Sequence, residues 1–305
     1  MPRVSVVLPS YNYARYLDER IRSLLGQSYR DFELVIVDDA STDESLEVIA
    51  RFRDPRIKLH VRTENSGKVY ASWNEGLGLC SGELVLFAGA DDVAEGVMLE
   101  RLVEPFEGRE RLGMSHCRFL SIDGAGRITG TQMPLSPAAA FILEDLHHDY
   151  LAEAPVEWRR LLVTNFIWNA SGVLLRREAV ERAGGFDDRL LIAADWLLYL
   201  SVAREYDVAY RAEPLNAFRQ LDKSVSKRMQ GAVLMGEIYD CITRQERYLR
   251  APEDRACFET GLAVADGGLS YYAQLNRQHG QLDEVARLTS VAERYGRVLA
   301  AGLGG

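Results

Sequence analysis

Asp91 and Asp92 stand side by side at the end of a short apolar run, Leu84 to Ala88, in the stretch Gly82-Glu-Leu-Val-Leu-Phe-Ala-Gly-Ala-Asp91-Asp92-Val93. Adjacent carboxylates repel each other unless a cation or hydrogen-bond donors offset their charge. Hard oxygen ligands suit Mg²⁺ or Mn²⁺, ions that normally arrive with phosphates. The competing reading is an Asp-rich turn that caps the next helix. A second pair, Asp38-Asp39, closes another apolar run, Phe32 to Val37.

The elements that must present these pairs are legible nearby. Apolar runs at Val4 to Leu8, Phe32 to Val37 and Leu84 to Ala88 read as strands, and so does Ile57 to Val61. Between them lie helical patterns at Tyr16 to Leu25, from Ser41 to Phe52, and at Val69 to Leu79. Ser41 and Glu44 have capping-box spacing for the second of these. Such alternation predicts crossover units and a parallel sheet with helices on both faces. In an open α/β sheet, ligands bind beyond the carboxyl ends of the strands, so both Asp pairs and Pro9 are expected on one rim.

Two rival nucleotide folds fail on their motifs. A dinucleotide fold wants Gly-x-Gly-x-x-Gly after the first strand, where this chain has Pro9-Ser-Tyr-Asn-Tyr-Ala. Gly76-Leu-Gly-Leu-Cys-Ser-Gly82 lies between a helix and a strand, and reads as a helix terminator. Gly67-Lys68 lacks the upstream glycine and following Ser or Thr of a Walker loop.

The chain has 305 residues, 47% hydrophobic and 27% charged, with a net charge of −9. That balance argues for a globular protein and against nonspecific binding to nucleic acid or an anionic membrane. Cys80, Cys117, Cys241 and Cys257 lack metal-site spacing and suit a reducing compartment. The five histidines form no metal pattern, and His147-His148 are adjacent and so point apart on a helix. Met-Pro-Arg runs straight into strand pattern, and no apolar stretch approaches the ~20 residues of a membrane span. The expectation is a soluble, cytoplasmic protein without a signal peptide or transmembrane segment.

Val4-Ser-Val-Val-Leu-Pro-Ser-Tyr-Asn12, Val35-Ile-Val-Asp-Asp-Ala-Ser-Thr-Asp43, Asn74-Glu-Gly and Gly82 to Asp92 occur in an order and spacing that resembles family 2 glycosyltransferases. Ser171-Gly-Val-Leu-Leu-Arg-Arg177, Gly184-Gly-Phe-Asp187 and Ala194-Asp-Trp196 continue the resemblance, which covers roughly residues 3 to 225. It implies a GT-A, Rossmann-like α/β fold: a mostly parallel central sheet flanked by helices. It also implies inverting transfer of a sugar from a UDP, dTDP or GDP donor to a carbohydrate or glycoconjugate acceptor.

The resemblance implies roles residue by residue. Pro9 and Tyr11 would line the nucleobase pocket, and Asp39 would hydrogen-bond base or ribose. Asp91 would carry the divalent cation, Mn²⁺ or Mg²⁺, that bridges the diphosphate, with Asp92 assisting or only positioning it. Lys68 would face the phosphates or remain a solvated surface lysine. Asp195 would be the general base, and Gly184-Gly185 would end a helix near the acceptor. The chain departs from the family pattern at three places. Gly89 stands for the first Asp of Asp-x-Asp, and Ala194 for the acidic residue before the base. Phe218-Arg-Gln-Leu-Asp-Lys-Ser-Val-Ser226 lacks the usual histidine, leaving Gln220, Leu221 or Lys223, of which Lys223 could neutralise diphosphate.

Residues 1–227 are expected to form the catalytic domain, with a nucleotide-sugar half over 1–110 and an acceptor half over 111–227. In the acceptor half, Trp158 either lines the acceptor pocket or merely packs. From about Gln230 the pattern becomes helical at 230–249, 253–275 and 281–300, so 228–305 is expected to be a helical extension, packed on the core or forming a homodimer. The alternative from another class is a non-catalytic nucleotide-sugar-binding or scaffold protein on the same fold. A nucleotidyltransferase would want a Gly-rich basic loop after the first strand, which Pro9 to Tyr13 is not.

Overall fold

β1 (Val4–Ser10) and β2 (Phe32–Asp38) are buried along their whole lengths, which explains why their sequences are near-continuous apolar runs rather than alternating ones. The computed structural model that shows this describes residues 1–131, 142, 145–221 and 231–299. β3 (Ile57–Val61) pairs in parallel with β2, and β2 with β1, whose other edge pairs in parallel with β4 (Leu84–Phe87). Val4, Val6 and Leu8 share a core with Leu17, Ile21 and Leu24 of α1 (Ala14–Leu25), while Val7 faces Tyr70 and Trp73 of α3 (Val69–Leu79). The period-2 alternation of the strand therefore places helices on both faces.

Beyond β4 the sheet becomes mixed. Its order is β3-β2-β1-β4-β9-β6-β10-β5, with β9 (Val173–Arg176) antiparallel to both β4 and β6 (Leu112–Ile122). β10 (Asp207–Arg219) runs parallel to β6 and, at its carboxyl end, pairs antiparallel with the short β5 (Val93–Ala94). Residues 93 and 94, directly after the Asp91-Asp92 corner, are thereby tied to the last strand. β7 (Ile128–Gly130) and β8 (Tyr150–Ala152) extend the edges on β6 and β10.

Local readings fail at two places. α2 spans Ser45–Ala50 and has no capping side chain; the Ser41 hydroxyl donates instead to Asp38 Oδ2 at 2.6 Å. Gly76 does not terminate α3 but lies inside it, where a Cβ would sit 2.3 Å from Val7 Cγ1. Its role is to let the helix approach the sheet closely. Gly184, by contrast, is a left-handed C-cap of α6 (Arg177–Ala183) with φ of 87°.

α4 (Met98–Val103) follows β5, and α5 (Val156–Val163) precedes the turn into β9. α7 (Ala194–Glu205) leads into β10. The C-terminal helices are α8 (Ala232–Thr243), α9 (Pro252–Gln278) and α10 (Leu282–Arg294). Their apolar residues Met235, Tyr239, Phe258, Leu269 and Leu288 join one cluster with Trp158 and Leu161 of α5 and Trp196 and Leu200 of α7. Trp158 is fully buried and donates to Gln245 Oε1 at 3.2 Å, so it packs rather than lining an open pocket. Among the described residues no helix is long and apolar enough to cross a membrane.

α9 meets α5 at Gly261, where a Cβ would lie 2.0 Å from the Leu162 carbonyl oxygen. Gly261→Ala is expected to destabilise the fold by about 1–3 kcal/mol through overpacking. Gly267, on the same helix, has nothing within 4 Å of a Cβ, so Gly267→Ala should be neutral or stabilising. Paired denaturation curves check both; equal midpoints would show that the α5–α9 contact does not hold.

Candidate active site

The rim of the sheet is built by two interlocked loops. Asn12, at φ 58°, accepts from the amides of Thr42 and Asp43 at 2.8 and 3.2 Å, and its own amide donates to Ser41 Oγ at 3.0 Å. Tyr13 and Ala14 amides donate to Ser45 Oγ and Asp43 Oδ2. The loops after β1 and β2 are thus one unit, with Pro9 buried in β1 and Tyr11 43% exposed just beyond it. That exposure leaves an aromatic face available to a planar ring.

Asp38 and Asp39 divide their work. Asp38 is fully buried and accepts from the Ser41 amide and hydroxyl, so it shapes its own turn. Asp39 accepts from the Ser66 amide at 3.0 Å and hydroxyl at 2.7 Å, and Arg62 Nε lies 3.0 Å from its Oδ1. Among the described residues Asp39 Oδ2 accepts a single hydrogen bond, which leaves it an acceptor position. Lys68, two residues past Ser66, is exposed, takes part in no ion pair among the described residues and stands at the N-cap of α3. Lys223 lies outside the described residues.

Asp91 and Asp92 differ more sharply. Asp92 is buried; its Oδ2 accepts from Ser171 Oγ at 2.5 Å and Asn169 Nδ2 at 3.0 Å, and its Oδ1 accepts from the Arg219 amide at 2.9 Å. Arg219 also donates through Nε to the Asp91 carbonyl at 2.7 Å and through Nη2 to Glu19 at 2.7 Å. Asp92 therefore ties β10 and the turn before β9 to the end of β4. Asp91 keeps a half-buried carboxylate whose oxygens take no hydrogen bond from another described residue. Burial first, and the Asp92 charge second, push its carboxyl up to about 7. The Arg20 guanidinium is fully buried without a hydrogen-bond partner among the described residues, and the Asp92 and Asp91 charges offset part of its desolvation.

These residues suit a divalent cation of limited demands. Among the described residues no three His, Cys, Asp or Glu gather to hold a metal. An Mg²⁺-like ion that shares a substrate's phosphates needs only one or two carboxylates and completes its shell with water. Asp91 offers the donor set for that. Asp92 Oδ2 already accepts two hydrogen bonds and its Oδ1 one, which fits the reading that it positions Asp91 more than the reading that it assists as a ligand. Gly89 adds nothing, and a Cβ there would sit 3.1 Å from Asp92 Oδ2.

Asp195 opens α7 and accepts from the Trp196 amide at 2.7 Å. Its burial pushes the carboxyl up to about 7 against that hydrogen bond, and the Glu237 charge adds to the rise. The turn before it is linked to the nucleotide rim. Tyr70, on the first turn of α3 and four residues past Ser66, donates to the Ile192 carbonyl at 2.5 Å. Asn74, one turn on, accepts from the Phe186 amide at 2.9 Å and donates to the Phe186 carbonyl at 2.8 Å. The segment from Ser66 to Asn74 thus spans from Asp39 to the approach of Asp195.

The residues that sequence reading missed are the second set: Ser66, Tyr70, Asn169, Ser171, Arg219 and Glu237. The motifs around Asn74, Ser171 and Arg219 gave the signal, since each had matching spacing but no assigned task. Ser66, Tyr70 and Glu237 left no sequence signal.

A parallel half-sheet with carboxylates beyond its strand ends, followed by a mixed half and a half-buried acid at a helix start, defines a GT-A type fold. The profile of "Glycosyl transferase family 2" matches residues 5–182, and the chain belongs to that family. An uncharacterized glycosyltransferase of Nostoc sp. is 35% identical over 191 residues, which are 61% of this chain and 54% of that relative. The chain spans about half to under two thirds of the length of the curated relatives it matches most strongly. Among solved structures, residues 1–349 of Staphylococcus aureus TarS with UDP-GlcNAc superpose with a TM-score of 0.66 at 18% identity, covering 97% of this chain and 92% of that one. The mannosyltransferase PcManGT of Pyrobaculum calidifontis, with GDP-Man and Mn²⁺, gives 0.62 at 18% identity, covering 96% and 87%. At such identity the two structures establish the fold.

Proposed function

We propose that the chain is an inverting glycosyltransferase that moves a sugar from a nucleoside diphosphate donor to an acceptor hydroxyl by direct displacement. The observation that carries this is a pair of half-buried carboxyls both raised to about 7: Asp91, without a hydrogen-bond donor among the described residues, and Asp195, at a helix start tied to the same rim. Pro9 and Tyr11 take the base, and Asp39, through its remaining acceptor position, takes a ribose or base donor. Asp91 is the residue that would hold a divalent cation, and Lys68 is available to the diphosphate. Such a cation, when bound, offsets the charge that grows on the leaving diphosphate. Asp195 accepts the proton of the attacking hydroxyl as the new bond forms opposite the leaving group, and a base near 7 is well matched to that task. The family and the nucleotide-sugar complexes of TarS and PcManGT support the donor class. Cytoplasmic action accords with the four free cysteines.

The second reading, a nucleotide-sugar binder without turnover, is favoured by Gly89 and Ala194 and shares every binding residue. Thermal denaturation with UDP, GDP, dTDP and CDP, each with and without Mn²⁺, tests what the two readings share. One nucleotide is expected to stabilise by about 3 kcal/mol at a hundredfold excess over its Kd, with Mn²⁺ increasing the shift. Asp91→Asn should abolish the Mn²⁺ increment. The donor site is refuted if none of the four shifts the melt. Release of free nucleoside diphosphate from UDP-GlcNAc or GDP-mannose separates the enzyme from the binder.

A further inference from the structure

The C-terminal helices do more than cover the core. Ala193, the N-cap of α7, has no side-chain oxygen with which to accept from the amides around it. Glu237 of α8 supplies one from 44 residues downstream. Its Oε1 accepts from the Leu191 amide at 2.6 Å, and its Oε2 from the Ile192 and Ala193 amides, both at 2.9 Å. The same turn is held from the other side by Tyr70 on the Ile192 carbonyl, and Cys241 Sγ lies 3.5 Å from the Ala193 carbonyl. α8 grips the approach once more through Arg244, which donates to Asp187 at 2.7 Å. Glu237 is buried, so three amides and a carboxylate meet away from bulk water, where such bonds are strongest.

We propose that Glu237 is the positioning residue of Asp195: it fixes the Leu191–Ala193 turn that aims the carboxylate, and it places a second negative charge beside it. The kinetic part of this rests on Asp195 being the base of the proposed transfer; the positional part does not. The titratable groups facing Asp195 are Glu237 and Cys241 from α8, Tyr70 from α3 and Tyr199 one turn along α7. Of these, Glu237 is the like charge that raises the Asp195 carboxyl. Its removal therefore relieves Asp195 of like-charge repulsion, and the carboxyl should ionise at lower pH. A purely structural anchor would leave that midpoint in place.

The test uses full-length protein labelled with ¹³C-carboxyl aspartate, with Asp195→Asn assigning the resonance. Wild type should titrate near 7 and Glu237→Gln at lower pH, with the Tm recorded to show that the variant is folded. The acid limb of turnover, with UDP-GlcNAc and GDP-mannose as probe donors, should move the same way, and kcat should fall about 10- to 100-fold with donor KM unchanged. A folded Glu237→Gln with an unmoved midpoint overturns the proposal. A moved midpoint without turnover in any variant upholds the positioning and refutes the transferase reading. If the glutamine variant does not fold, Glu237→Asp, which keeps the charge at shorter reach, decides. An unchanged midpoint with faster amide exchange at Leu191–Ala193 supports the proposal, and wild-type exchange with wild-type kcat overturns it.

Discussion

Asp195→Asn is expected to lower kcat for transfer by about 10²–10⁴-fold while leaving nucleotide-dependent stabilisation intact. The amide keeps the shape and the bond from the Trp196 amide, but it cannot take the acceptor proton. The same substitution should stabilise the fold at alkaline pH. The Asp195 carboxyl is raised from 3.8 to about 7 by burial, so its stabilising contribution is full below about pH 4 and is lost as pH rises through 7. Above pH 7 the folded protein carries a desolvated charge that the asparagine variant does not. The gain is on the order of 2–4 kcal/mol at pH 8 and vanishes toward pH 4. Denaturation at the two pH values reads it directly. Full turnover in the variant would assign the base elsewhere, and equal stability at pH 8 would show that Asp195 is solvated.

The nucleotide-side fold was legible because its information is local. β1, β2 and β4 are near-continuous apolar runs, and each acid corner follows its strand within a few residues. What sequence could not supply are partners far apart in the chain. Asp92 meets Asn169, Ser171 and Arg219 at separations of 77, 79 and 127 residues, so its commitment to protein donors is invisible beside Asp91. Glu237 reaches α7 from a helix that, read by periodicity, is simply amphipathic. Gly76 shows the opposite failure: the same residue type serves a helix end or a close approach, and only the Val7 contact distinguishes them. Ser41 had capping-box spacing, yet its hydroxyl serves Asp38, because the loop after β2 is organised by Asn12 and not by the helix.

Neighbouring acids in one corner should therefore respond in opposite ways to substitution. Asp92→Ala is expected to destabilise the protein by about 3–5 kcal/mol, because it removes a buried, multiply bonded charge. Three donors lose their acceptor: Ser171 Oγ, Asn169 Nδ2 and the Arg219 amide. The buried Arg20 guanidinium, without a hydrogen-bond partner among the described residues, also loses the larger of the two negative charges acting on it. Asp91→Asn removes no protein contact of this kind and should change stability by less than about 1 kcal/mol, its effect appearing instead in the Mn²⁺ increment with nucleotide. Urea denaturation without metal separates the two. The division of labour fails if Asp92→Ala is as stable as Asp91→Asn. It holds if β10, which Asp92 ties to β4 through Arg219, exchanges its amides first. Asp92 would then be the residue that builds the corner, and Asp91 the one that the corner exists to present.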